Sequence, residues 1–269
     1  MTRTELIHHI RERGSYLCVG LDTDADRIPS LFRGEPDPVF AFNRAIIDAT
    51  RDCCVSYKIN TAFYEAHGSR GWTSLERTVA YIGEGHLRIA DAKRGDIGNT
   101  SDQYARAFFG SMPFDAVTVA PYMGEDSVRP FLQHTGKWTI VLGLTSNPGA
   151  ADFELQTMGS APLYEKVLTT VSGWGSPDNL MFVIGATRAD SFARVRELTP
   201  DHFYLVPGVG AQGGSLKEIS SVGMNRDVGL LVNVSRGILY ASDGPDVVEK
   251  AREAALQYRD EMRGYLHRS

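Results

Sequence analysis

Short apolar runs alternate along the chain with longer stretches in which apolar residues recur every three to four positions. Strands covered on both faces read as continuous apolar runs, whereas surface helices carry one apolar stripe. This pattern predicts strands at 16–20 (YLCVG), 55–59, 87 onward (LRIADAK), 116–120, 139–144, 181–184, 203–206 and 229–234. Between them it predicts an amphipathic helix over about 2–13 ended by Gly14, then one from the Asp37-Pro38 cap to about 53. Further helices fall at 75–82, 102–109, 128–134, 163–171, 191–198 and 216–221. The last runs over 245–265 with its stripe at Val247, Val248, Ala251, Ala255, Tyr258 and Met262. Residues 145–161 carry Gly, Ser, Asn and Pro with little periodicity and read as a long lid loop.

Eight strands alternating with helices, without linker or composition break, predict one α/β domain over 1–269, a (β/α)8 TIM barrel. The rival is a doubly wound open sheet, prompted by Gly208, Gly210 and Gly213 in a G-x-G-x-x-G spacing. A dinucleotide fingerprint opens the first βα unit and is answered by an acidic residue at the end of the next strand. Here the glycines follow the seventh strand, and the eighth runs into Val234-Ser235-Arg236, so the open-sheet reading fails.

The 269 residues match the usual barrel length, and 42% hydrophobic with 23% charged residues is ordinary for a domain with a full core. A net charge of −5 argues against general nucleic-acid binding, and no Lys/Arg block points to an anionic membrane. Cys18, Cys53 and Cys54 make no disulfide framework. The charged start MTRTELIHHIRERG lacks the apolar segment of a signal peptide, and no apolar run is long enough to span a bilayer. These features predict a cytoplasmic protein.

Candidate chemistry gathers where barrels place it, at the carboxyl ends of strands. Asp22, Lys58, Asp91, Lys93, Ser146, Gln212 and Arg236 all fall there, on six different strands. In LRIADAKRGDIGNT, alternation along the strand puts Ile89, Asp91 and Lys93 on one face, which turns from apolar to ionic within two residues. Asp91 beside Lys93 keeps the ammonium charged, and Lys93 favours its acidic neighbours as anions. The loops after strands seven and eight commonly build a phosphate site from backbone amides. Gly208 and Gly210 let amides approach, Gln212 donates an amide, Arg236 grips two oxygens and Gly237 leaves the next amide uncovered. No metalloprotease, nucleophile-elbow or Cys–His spacing competes, and the seven histidines are scattered.

The segments LCVGLD, YKIN, DAKRGDIGNT, LTSNPG, PGVGAQGG and SRGI together resemble the orotidine 5′-phosphate decarboxylase family, in its bacterial branch that carries DAKRGDIGNT. The resemblance covers nearly the whole barrel. It implies loss of carbon dioxide from orotidine 5′-monophosphate to give uridine 5′-monophosphate, with no cofactor and no metal. It also implies a Lys-Asp-Lys-Asp array of Lys58, Asp91, Lys93 and Asp96, with Lys93 protonating the ring carbon. Asp96, Ile97 and Thr100 are implied to cross the interface of a homodimer. Asp22, Ser146, Pro207, Gln212, Arg236 and Gly237 complete the implied substrate contacts. Two alternatives stay open. One is a magnesium-dependent sugar-phosphate decarboxylase of the same barrel superfamily, although Lys58 stands where such an enzyme places an acid. The other is a silent barrel that only binds a pyrimidine nucleotide.

Overall fold

The computed structural model describes residues 1–186, 189–210 and 213–267. Its barrel strands are β1 (Leu17–Gly20), β2 (Ser56–Asn60), β3 (Leu87–Arg94), β4 (Ala116–Val119), β5 (Trp138–Leu144), β8 (Leu180–Ile184), β9 (Phe203–Pro207) and β10 (Leu230–Val234). A small hairpin of β6 (Thr157–Met158) and β7 (Ala161–Pro162) lies apart from them. Helices are α1 (Arg3–Arg13), α2 (Pro38–Thr50), α3 (Ala62–Glu65), α4 (Gly68–Ile82), α5 (Gly98–Arg106) and α6 (Glu125–Leu132). They continue with α7 (Leu163–Ser172), α8 (Ala189–Leu198), α9 (Leu216–Gly223), α10 (Arg236–Leu239) and α11 (Val247–Leu266).

Among the described residues, eight parallel strands close in the order β1-β10-β9-β8-β5-β4-β3-β2, the predicted (β/α)8 barrel. Every residue of β1, β4, β8 and β10 is buried, as strands walled in by helices on one side and a filled barrel on the other must be. Side-chain alternation then decides what the barrel encloses. The Tyr57 hydroxyl reaches Thr50 at the end of α2 (2.9 Å), and that of Tyr204 reaches Thr199 beyond α8 (2.7 Å). With those rings turned out onto helices, Lys58 on β2 and Leu205 and Pro207 on β9 face the barrel axis.

Helix α1 closes the base. Thr2 and Glu5 form a capping box, and Gly14 ends the helix at φ 62°, a backbone that glycine adopts without strain. Arg3 donates to Pro177 O and Asp201 O, and Arg13 to Cys54 O and Gly85 O, all in turns that precede strands. The opposite face, at the strands' carboxyl ends, is left open.

Three segments differ most from the pattern reading. Helix α4 begins at Gly68, seven residues earlier than expected, because its first turns (GSRGWTS) lack an apolar stripe. The stretch 145–161 carries a short 3-10 turn (Pro148–Asp152) and most of the hairpin, pinned by Glu154, which accepts from Thr145 N (2.6 Å) and Thr145 Oγ1 (2.7 Å). The helix expected over 102–109 begins at Gly98 and ends in a π-turn, Ala107–Ser111.

Candidate active site

A cavity of about 460 Å³ opens at the carboxyl ends of the strands. Asp22, Lys58, Asp91, Lys93, Ser146, Pro207, Arg236 and Gly237 all line it, so eight of the expected site residues share one mouth. Its apolar wall comes from Phe63, Leu142, Val183, Leu205 and Val234. Gln212, the other expected phosphate donor, lies outside the described residues.

The charged groups form a row. Lys58 Nζ donates to Asp22 Oδ1 and to Asp91 Oδ2, at 2.9 Å each. Lys93 Nζ donates to Asp91 Oδ1 at 2.6 Å. Burial works against the Lys58 ammonium, whose side chain is only 3% exposed, yet Asp22 and Asp91 outweigh it and hold its pKa well above the ordinary lysine value. Burial likewise opposes the Asp91 carboxylate, and Lys58 and Lys93 reverse that and hold its pKa well below the usual carboxylate range. The Lys93 side chain stays 49% exposed at the cavity end of the row, where it can meet a bound molecule.

The local backbone explains how Lys93 comes to point there. Between Ala90 and Arg94, β3 advances four residues while β4 advances two, from Val117 to Val119. The bulge puts Lys93 at φ 47°, a left-handed conformation that costs a side-chain-bearing residue about 1–2 kcal/mol. Thr118 compensates. Its hydroxyl accepts from Lys93 N (2.9 Å) and donates to Asp91 Oδ1 (3.0 Å), and the residue is fully buried.

Asp22 follows β1, whose exit is fixed by Leu21 N donating to Lys58 O (2.8 Å) and Leu21 O accepting from the Tyr64 hydroxyl (3.0 Å). Its second oxygen accepts from Ser235 Oγ at 2.7 Å. Across the mouth, Gly208 at φ 97° turns the chain after β9. Arg236 and Gly237 open α10, and Arg27 adds a second cation, its guanidinium 3.9 Å above the Tyr240 ring.

Thr118, Ser235 and Arg27 were missed by pattern. Ser and Thr are ordinary strand and cap residues, and Arg27 lies in a loop of ordinary composition. Three expected residues sit elsewhere. Asp96, Ile97 and Thr100, at and just before the start of α5, do not line this chain's cavity among the described residues. Asp96 Oδ1 instead accepts from Ile97 N (2.8 Å). Ile97 is 56% exposed, and so are Tyr122 (88%) and Met123 (46%), while a Cβ on Gly95 would lie 3.5 Å from Met123 Cε. The expected row of four is therefore three charges long in a single chain. No group of three or more His, Cys, Asp or Glu is arranged to hold a metal ion among the described residues, and no helix there is long and apolar enough to cross a membrane.

Comparison with known proteins agrees in sequence and in shape. A family model described as the orotidine 5′-phosphate decarboxylase / HUMPS family matches residues 15–253. The orotidine 5′-phosphate decarboxylase of Flavobacterium johnsoniae is 55% identical over 265 residues, covering 97% of each chain. That of Christiangramia forsetii is 53% identical over 271 residues, covering all of both. The solved OMP decarboxylase of Leishmania donovani superimposes with a TM-score of 0.86 at 35% identity, over 98% of each chain. A row of alternating charges after β1 and on β2 and β3, in one cavity with the arginine and glycine that follow β10, thus coincides with full-length similarity, and the chain belongs to the orotidine 5′-phosphate decarboxylase / HUMPS family.

Proposed function

We propose that this protein converts orotidine 5′-monophosphate to uridine 5′-monophosphate and carbon dioxide without a cofactor, as the last step of de novo UMP synthesis. The observation that carries the reading is the Lys58–Asp91–Lys93 row at one end of a cavity whose other end holds Arg236 and Gly237. The guanidinium and the turn amides grip the phosphate. Asp22 and Lys58 meet the ribose hydroxyls, Ser146 the pyrimidine, and Pro207 packs beside them. Gln212 adds a phosphate contact. The segment 145–161, which lines the mouth through Thr145, Ser146 and Asn147, closes over the nucleotide.

The bond between the ring carbon and the carboxylate breaks with its electron pair left on the ring, in an orbital that ring resonance does not reach. The Lys93 ammonium, fixed by Asp91, stabilises that carbanion and gives it a proton, forming the new C–H bond. Neutral Lys93 then regains a proton from solvent. Asp91 faces the substrate carboxylate and opposes it until it leaves.

A second copy of the chain completes the row. Asp96 of the partner subunit extends it beyond Lys93, with the partner's Ile97 against the pyrimidine and the partner's Thr100 at the ribose. The absence of these residues from their own chain's cavity and the exposed Ile97, Tyr122 and Met123 support this arrangement. An ammonium already bridges Asp22 and Asp91, at 2.9 Å from each, which supports a reaction that proceeds without a divalent ion.

The test is the ultraviolet absorbance of orotidine 5′-monophosphate mixed with the enzyme in excess chelator. A steady decay to the spectrum of uridine 5′-monophosphate is expected. No decay with tight nucleotide binding would make the protein a silent binder. Turnover of a 3-keto sugar phosphate, lost in chelator and restored by magnesium, would make it the sugar-phosphate enzyme.

A further inference from the structure

The charged row does not end at Asp22. It continues through Ser235, whose hydroxyl donates to Asp22 Oδ2 at 2.7 Å and accepts from Asn233 Nδ2 at 3.2 Å. Asn233 is a buried residue of β10 that lines the cavity. An unbroken chain of hydrogen bonds thus runs Asn233–Ser235–Asp22–Lys58–Asp91–Lys93, from β10 through β1 and β2 to β3.

The neighbouring strand is shaped to admit this serine. A Cβ at Gly20, the last residue of β1, would overlap Ser235 Oγ and come within 2.8 Å of Ser235 Cβ. Its φ lies outside the positive range, so this glycine is needed for space and not for conformation. Ser235 also immediately precedes Arg236, the first residue of α10, and Gly237.

We propose that Ser235 is a positioning residue: its hydroxyl locks the Asp22 carboxylate, and through it Lys58 and Asp91, in register with the turn at Arg236 and Gly237, while Gly20 stays bare to make room. This rests on the reading that Asp22 and Arg236 face the nucleotide. The backbone at Asp22 is already held by bonds on Leu21, so the serine acts on the carboxylate's rotation, opposite the Lys58 ammonium on its other oxygen. Each carboxylate oxygen accepts more than one hydrogen bond, so one bond to Lys58 and one to Ser235 leave acceptor sites for ribose hydroxyls. Without the hydroxyl, Asp22 swings about its last torsion, and the lysine bonded to it loses its fixed distance to Asp91. A substrate gripped at Arg236 then meets a loosened row.

The experiment is a pair of double-mutant cycles read by kcat/KM on orotidine 5′-monophosphate, affinity for uridine 5′-monophosphate by calorimetry, and Tm. Ser235→Ala is expected to lower kcat/KM and product affinity by roughly tenfold, the scale of one hydrogen bond to a charged group, with Tm nearly unchanged. In an Asp22→Ala background, which leaves the hydroxyl no partner at position 22, the same change is expected to cost less than about twofold, because the serine acts through that carboxylate. In the second cycle Gly20→Ala, which evicts the hydroxyl, is expected to cost at least as much as Ser235→Ala. Added to Ser235→Gly, which leaves Asn233 Oδ1 nearest the new methyl at 3.1 Å, it is expected to cost little and to change Tm only slightly, and this background keeps the test open if Gly20→Ala alone fails to fold. Wild-type kcat/KM in Ser235→Ala, or an equal tenfold loss with and without Asp22, overturns the proposal. An Asp22→Ala enzyme with wild-type kinetics and affinity overturns the reading of Asp22 beneath it, and the proposal with it.

Discussion

The two ends of the barrel handle buried charge in opposite ways. At the base, Arg88 holds Asp115 through Nε (2.8 Å) and Nη2 (3.1 Å), and both side chains are nearly covered. Arg196 lies 3.9 Å from the Tyr204 ring and donates to the carbonyls of Gly223 and His202. Each charge there finds its partners within its own chain. At the mouth, Lys58 is closed off in the same way, but the row ends in a half-exposed lysine with cavity on its far side. A paired charge in a closed setting holds strands and helices in place. A charge whose last neighbour is missing is available for chemistry, provided that something else fixes its position, and Asp91 with Thr118 does so for Lys93.

That contrast is breakable by mutation. Lys93→Ala should abolish turnover, by roughly 10²–10⁴-fold or more for a lost proton donor, while product affinity and Tm stay close to wild type. A large fall in Tm would place Lys93 with the base residues. Asp115→Asn should do the converse, costing about 3–5 kcal/mol in denaturant unfolding because it strands the Arg88 guanidinium, with kcat/KM unchanged in the enzyme that remains folded. Arg236→Ala should weaken product affinity by about 1.5–3 kcal/mol and leave stability alone, as calorimetry would show.

The smallest effect concerns pH. Burial, together with nearby arginines, pushes the His86 and His202 imidazoles down to about 4, so both are neutral in the fold. Their folded pKa lies below the ordinary 6.5, so between about 6.5 and 4 the unfolded chain binds more protons and stability falls as pH drops through that window. His202 packs 5.3 Å from the Phe182 ring with neither nitrogen hydrogen-bonded. His202→Phe should flatten this slope by up to about 1.4 kcal/mol per pH unit, measured by urea unfolding at several pH values. An unchanged slope would remove His202 from the base's acid sensitivity.

Most of the barrel was legible because strands buried on two faces have little choice of composition. LMFVI in β8 can hardly be anything but interior, and its neighbours follow the same rule. Helix starts were legible where a cap marks them, as at Asp37-Pro38, and not where the first turns are polar, as at Gly68. Lys58, Asp91 and Lys93 stood out because charges at the end of an apolar run need a reason. Thr118 and Ser235 did not, since one hydroxyl at a strand end looks like any other until the carboxylate it binds is placed beside it. Period-two alternation put Lys93 on the face of Asp91, and the two do meet, but through a bulge and a positive φ that alternation does not foresee.

The claim that the open row is completed by a second copy is tested most directly by mixing two dead enzymes. Lys93→Ala and Asp96→Ala should each be nearly inactive as homodimers. In a mixed dimer one site carries both lesions and the other carries neither. Equal amounts, allowed to exchange through a brief mild-denaturant step, should recover roughly a quarter of wild-type activity per subunit, from random pairing across a two-fold interface. If mass spectrometry shows mixed dimers while activity stays at the level of the parents, Asp96 does not serve its neighbour and the shared site is wrong.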